Sequence, residues 1–220
     1  SLVDALIATE DERFYEHSGI DGRGTLRAAL SFGTSGGAST ITQQLAKLLF
    51  QGEGAGFVFL RIVQKAKEWI MAVKLERQYT KNEIIAMYFN KADFVNTAVG
   101  IRSAANVYFG KEPRDLTINE SAMLVGMLKN PSLFNPIRRL EKVTNRRNTV
   151  LGQMVKNNFL EEAAKQKLEK EPIKLDFKPE SHKDGIATYF REYLREFMKN
   201  WVKDNKKPDG TDYDIYRDGL

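Results

Sequence analysis

The chain has 220 residues, 42% hydrophobic and 10% aromatic, enough to bury a full core and too apolar for a disordered segment. It has no cysteine and two histidines, which excludes disulfides, cysteine-based zinc sites and a histidine-rich metal centre. The net charge of +5 suits a phosphate-bearing substrate, an anionic membrane surface, nucleic acid or an ordinary soluble surface; no run reaches the ~18–20 apolar residues that span a bilayer.

The pattern is helix after helix. Leu2, Val3, Leu6 and Ile7 place the chain's start inside an amphipathic helix, which reads as part of a longer polypeptide, and the helical pattern runs on to Phe14 before breaking at His17-Ser18-Gly19. A second helix is predicted over Thr25–Phe32, then a flexible run at Gly33-Thr34-Ser35-Gly36-Gly37. Thr40-Ile41-Thr42-Gln43 has the form of a capping box and opens a third helix carrying Ile41, Leu45, Leu48 and Leu49. Gly52, Gly54 and Gly56 make a loop, and helical spacing resumes through Ile62, Val63, Ala66, Ile70 and Val73.

Two further capping boxes, Thr80-Lys81-Asn82-Glu83 and Thr117-Ile118-Asn119-Glu120, each precede an apolar helical run. Asn130-Pro131 and Asn135-Pro136 bracket a loop, because proline disfavours helix at the residue before it. Helices follow over Val143–Met154 and Glu161–Leu168, then an extended lysine-rich connector between Pro172 and Pro179. A last helix, Ile186–Trp201, carries Tyr189, Tyr193, Phe197 and Trp201 at helical spacing, a stripe that reads as core or interface packing. No strand-period segment is long enough for a substantial sheet.

The chemistry gathers in four segments. Glu10 and Asp11 end an apolar helix, with Phe14 beside them and His17 shortly after. A carboxylate on apolar surface loses hydration and becomes a stronger proton acceptor, although the same residues also read as an exposed charged helix end. Gly36 to Lys47 combines small residues with Ser39, Thr40, Gln43, Gln44 and Lys47 at a helix start, a cradle for a diphosphate or a sugar, without the order of a P-loop. Glu68, beside Lys65 and Lys67, is a surface ion-pair former or a second site carboxylate. Phe57-Val58-Phe59-Leu60, next to the glycine loop, reads as a bilayer-dipping segment or a buried helix start.

In order, these segments resemble the peptidoglycan glycosyltransferase domain (glycosyltransferase family 51) of class A penicillin-binding proteins. Glu10-Asp11-x-x-Phe14-x-x-His17-x-Gly19 matches the first family motif, and Gly37-x-Ser39-Thr40-Ile41-x-Gln43-Gln44-Leu45-x-Lys47 the second. Gln64-Lys65-Ala66-Lys67-Glu68 is similar to the third with glutamine for its arginine; Lys81-x-x-Ile84-Ile85-Ala86-x-Tyr88-Phe89-Asn90 is similar to the fourth with alanine for its glutamate. Gly100-Ile101-x-x-Ala104-Ala105-x-x-Tyr108-Phe109-Gly110-Lys111 supplies the fifth, and the likeness continues through Lys129-Asn130-Pro131-Ser132 and Arg146-Arg147.

The resemblance implies a mainly α, lysozyme-like helical domain with a small membrane-proximal helical and loop subdomain. It implies a glycosyltransferase domain over 1–175 and a helical connector over 176–220 leading toward a transpeptidase domain. Glu10 would be the general base, with Glu68 assisting on the donor side. Asp11, Phe14, His17, Arg27, Ser39, Thr40, Gln43, Gln44, Lys47, Lys65 and Asn90 would contact substrate. A divalent ion, Mg or Mn, is typical of the family, with Glu10 a candidate ligand. The partners implied are lipid II, the polyprenyl-diphosphate glycan chain, a membrane surface, moenomycin-type phosphoglycolipid inhibitors and other cell-wall synthesis proteins, and no nucleic acid. The place implied is the extracytoplasmic face of the bacterial cytoplasmic membrane, below an upstream transmembrane anchor. A lysozyme-like hydrolase and a non-catalytic lipid II-binding module are the competing readings.

Overall fold

The computed structural model describes residues 1–30, 39–50, 58–178, 188–208 and 210–214. The end of the second predicted helix, both glycine runs and Phe57 lie outside these residues, as do the side chains of Val58, Phe59 and Leu60. Two compact units are present, Ser1–Pro179 and Glu180–Leu220.

The first unit is helical, as expected, and its only pairing of extended backbone among the described residues is an isolated bridge between Asp93 and Val99. In order come α1 (Leu2–Glu10), α2 (Gly22–Leu30), α3 (Ile41–Phe50), α4 (Val58–Gln78), α5 (Lys81–Lys91), α6 (Ile101–Phe109), α7 (Ile118–Leu128), α8 (Leu140–Lys156) and α9 (Glu162–Lys170). The centre is α7, whose residues Ser121 to Met127 are all buried. It packs on α8 and α1, which also pack on each other, while α3 packs on α4 and α5. Leu6, Phe14, Ile41, Leu45, Ile84, Met123 and Leu151 meet in this core, each such burial contributing about 1.5–3 kcal/mol.

Local chemistry sets the boundaries. Thr80 and Thr117 each accept the N–H three residues on, and Glu83 and Glu120 return a bond to the cap, completing both predicted boxes. The third box is only half formed: Thr40 accepts from Gln43 N at 3.1 Å, but the Gln43 side chain donates to Gly19 O at 3.3 Å. The first helix ends at Glu10 instead of continuing to Phe14, because Asp11 turns out at φ −160 and ψ 76; a single 3-10 turn, Phe14–Glu16, follows. Helix α6 carries no strong start signal in the sequence beyond Gly100, whose φ of +83 suits glycine.

The extended segment after α9 belongs to the first unit. Asp176 N and Lys178 N donate to Tyr108 O and Val107 O, and Leu175 and Phe177 pack on the core. The compact first unit therefore takes in this segment. In the second unit, α10 (Thr188–Asp204) packs Trp201 on Tyr213, ring centroids 5.4 Å apart. The core reading of its stripe fails at the other end, where Tyr189 is 95% exposed and Tyr193 and Phe197 are more than half exposed.

Candidate functional site

Helix α1 delivers Glu10 to the floor of a cleft of about 540 Å3. From α3 come Gln43, Gln44 and Lys47, with Ser39 just before that helix; from α4 come Lys65 and Glu68; Leu128, Lys129 and Arg146 close the remaining wall. Four cations (Lys47, Lys65, Lys129, Arg146) thus surround two carboxylates (Glu10, Glu68).

Glu10 is only 17% exposed and is held on both oxygens. Gln44 Nε2 donates to Oε2 at 3.0 Å, and Arg146 lies 3.7 Å from Oε1. Arg146 passes close to Gly126 of α7, where a Cβ would sit a tight 3.1 Å from Arg146 Cγ. Its Nε donates to Gly126 O at 3.4 Å, and burial lowers its pKa, an effect opposed by the Glu10 charge. Lys65 Nζ donates to Ser39 Oγ and to Glu68 Oε2, both at 2.8 Å, joining the second and third motifs.

Other predicted residues hold the site together from behind. Asp11 accepts from Ile41 N at 3.0 Å and faces His17 Nε2 at 3.0 Å. Phe14 is buried, and Lys81 Nζ lies 4.3 Å from its ring centroid while donating to His17 O at 2.6 Å and Glu76 at 2.8 Å. Thr40 Oγ1 donates to Gly19 O at 2.7 Å. Gly19, at φ +89, approaches α4 so closely that a Cβ would meet the Ala72 carbonyl group at 2.9 Å.

Two predicted residues lie elsewhere. Arg27 pairs with Glu12 at 3.5 Å and lines a second hollow of about 410 Å3, which shares Thr9, Glu10 and Arg146 with the cleft and adds Lys156. Asn90 is exposed at the end of α5 and does not line the cleft. Conversely, the sequence pattern did not single out Arg146, Lys129 or Tyr88 as site residues, although the pairs Arg146-Arg147 and Lys129-Asn130 were visible.

The expected divalent cation finds no preformed cage. Among the described residues no three acidic, histidine or cysteine side chains converge, and both Glu10 oxygens are already engaged. A hard cation takes about six or more oxygen ligands, so these residues alone do not fit one.

Fold and site together define a helical domain whose cleft sets two carboxylates among four cations, a charge balance that suits a negatively charged ligand. Residues 1–155 match the family described as Transglycosylase, and the chain belongs to it. It is 40% identical over 90% of its length to penicillin-binding protein 1A of Vibrio cholerae, and 38% identical over 98% to penicillin-binding protein 1A of Escherichia coli. It spans 24% and 25% of those two proteins. Penicillin-binding protein 1A of Haemophilus influenzae superposes with a TM-score of 0.44 at 23% identity, over 78% of this chain and 21% of that one.

Proposed function

We propose that this domain is a peptidoglycan glycosyltransferase that polymerises lipid II into β-1,4-linked glycan. The observation that carries the reading is the cleft itself: Glu10 and Glu68 share it with Lys47, Lys65, Lys129 and Arg146. Glu10 takes the proton from the acceptor GlcNAc 4-hydroxyl as that oxygen bonds to the donor anomeric carbon. The bond to polyprenyl diphosphate breaks on the opposite face, giving inversion. The charge that grows on the leaving diphosphate falls among the cations, which stabilise it before water can. Glu68 orients Lys65, and through it Ser39, toward that group. A glycan hydrolase has no anionic leaving group and would not need this wall of positive charge.

The membrane partner has support in the described residues. Leu48, Leu49 and Phe50 on α3, and Val63 and Ile70 on α4, are exposed, and Phe50 and Ile70 line a groove of about 420 Å3 with Ala46 and Met71. This surface would meet the bilayer that delivers the lipid substrate, on the extracytoplasmic side. No helix among the described residues is long and apolar enough to cross a membrane, so a span would come from outside them. The second unit would connect to a transpeptidase domain, and phosphoglycolipids would compete for the cationic cleft.

Polymerisation of lipid II by the Glu10→Gln variant tests the reading. Loss of the base should slow turnover by ~10²–10⁴-fold at unchanged thermal stability. A near-parental rate would sink it.

A further inference from the structure

A hydrogen-bonded chain runs from the buried side of α5 through α3 to the base. Tyr88 Oη donates to Gln44 Oε1 at 3.0 Å, and Gln44 Nε2 donates to Glu10 Oε2 at 3.0 Å. The three residues lie on three different helices, and α3 packs directly on α5. We propose that Tyr88 is a positioning residue that fixes the Gln44 amide, and through it the orientation of the Glu10 carboxylate for proton removal. The proposal rests on Glu10 being the base.

The direction of each bond is set by chemistry. A carboxylate can only accept, so the Gln44 nitrogen must face Glu10 and its oxygen must face Tyr88. That oxygen then requires a donor, which a phenol supplies only while protonated. Burial, reinforced by the Glu10 charge, holds the Tyr88 phenol far above its ordinary pKa, so it stays protonated at every working pH. With Tyr88 as donor, flipping the amide would set two donors against each other and turn an oxygen toward Glu10. One Glu10 oxygen is thereby fixed by Gln44; the other lies 3.7 Å from Arg146, within ion-pair range but beyond a hydrogen bond, and is the one left to accept the hydroxyl proton. Gln44 also lines the cleft, where the second hydrogen of its Nε2 stays available to substrate.

The test is steady-state polymerisation of lipid II by Tyr88→Phe, Gln44→Met, the double variant and Glu10→Gln, with melting curves for each. Tyr88→Phe keeps the ring and removes only the donor. Its kcat should fall by about tenfold with KM unchanged and the chain still fully folded at the assay temperature, the melting temperature dropping only by the small amount that one lost buried hydrogen bond costs. Gln44→Met should fall at least as far, and adding Tyr88→Phe to it should cost nothing more, since both cut one chain. Parental kcat in Tyr88→Phe, losses that multiply in the double variant, or a rise in KM at unchanged kcat in Gln44→Met would each overturn the proposal. Should Tyr88→Phe fail to fold, Gln44→Met alone decides by the same split between kcat and KM. An inactive Glu10→Gln beside a parental Tyr88→Phe rejects the chain but keeps the base; an active Glu10→Gln rejects both.

Discussion

The Asp11 carboxylate accepts the backbone N–H of Ile41 at 3.0 Å, joining the end of α1 to the first turn of α3. The same carboxylate faces His17 Nε2 at 3.0 Å, so one buried side chain ties together two motifs. A carboxylate at a helix N-terminus also complements the dipole of that helix. Replacing Asp11 with alanine leaves the Ile41 N–H and the His17 ring without this partner. The expected loss is about 3 kcal/mol of stability, read from urea melts, with activity falling in step with the folded fraction. Inactivity at unchanged stability would instead place Asp11 in the chemistry.

Arg146 supplies the second prediction. It stands 3.7 Å from Glu10, is 12% exposed, and spans the two hollows that meet at the base. Arg146→Gln removes the positive charge but keeps a polar stem over Gly126. It should lower kcat/KM for lipid II by about tenfold or more, through lost support of the developing charge. Arg146→Lys should recover only part of that, since lysine cannot donate through a planar fork to Gly126 O and still face Glu10. An unchanged kcat/KM in Arg146→Gln would reduce the contact to packing.

Much of the helical order could be read in advance because its signals act within one turn. Thr80 with Glu83 and Thr117 with Glu120 behave as their spacing says, since each pair closes on itself. Thr40 with Gln43 has the same spacing and behaves differently, because Gly19 brings a carbonyl within reach from 24 positions away. The cleft was readable where the residues sit in one contiguous motif, as Ser39 to Lys47 do. It was not readable where a long-range packing choice decides which face of a helix looks inward. Hence Arg27 turned to Glu12, Asn90 faced outward, and Arg146 reached Glu10 by passing close over Gly126. The Arg146-Arg147 pair was visible, yet only the fold shows that one arginine reaches Glu10 and the other is buried against the Glu169 and Glu171 carbonyls.

Two glycines should respond to alanine with opposite signs. Gly19 combines φ +89 with 2.9 Å approaches to Ala72, so a methyl group meets both backbone strain and a clash. Gly19→Ala should cost about 2–4 kcal/mol and loosen the Thr40 and Gln43 contacts behind the cleft. Gly152 lies inside α8, where an added methyl group would find nothing within 4 Å, and Gly152→Ala should stabilise by about 0.5–1 kcal/mol through helix propensity. Thermal melts of the two variants measure both. Equal shifts would show that close approach at Gly19 is not what fixes the α4 position.

Acid should destabilise the first unit in a window set by carboxylates that the fold holds low, Glu12, Asp21 and Glu120 among them. Lys156, donating to Glu12, holds that carboxyl below its ordinary 4.5. Burial works to raise Asp21, but Arg13 and the Gly24 N–H outweigh it and leave it below 3.8; burial likewise opposes Lys111 and Thr117 at Glu120, and again the bonds win. A carboxyl whose folded pKa lies below its unfolded one binds fewer protons when folded. Its stabilisation is therefore complete above the unfolded value and is lost as pH falls through the folded one. The melting temperature should hold nearly level from about pH 7 to 5 and drop below about pH 4. Salt should weaken the exposed Lys156–Glu12 share most, since that pair lies in water. Glu120→Gln isolates one contribution: it should be less stable than the parent at neutral pH and converge on it below about pH 3, where the parent carboxyl is itself protonated. A gap of constant size across that range would mean that the Glu120 contacts with Lys111 and Thr117 stabilise by packing and not by charge.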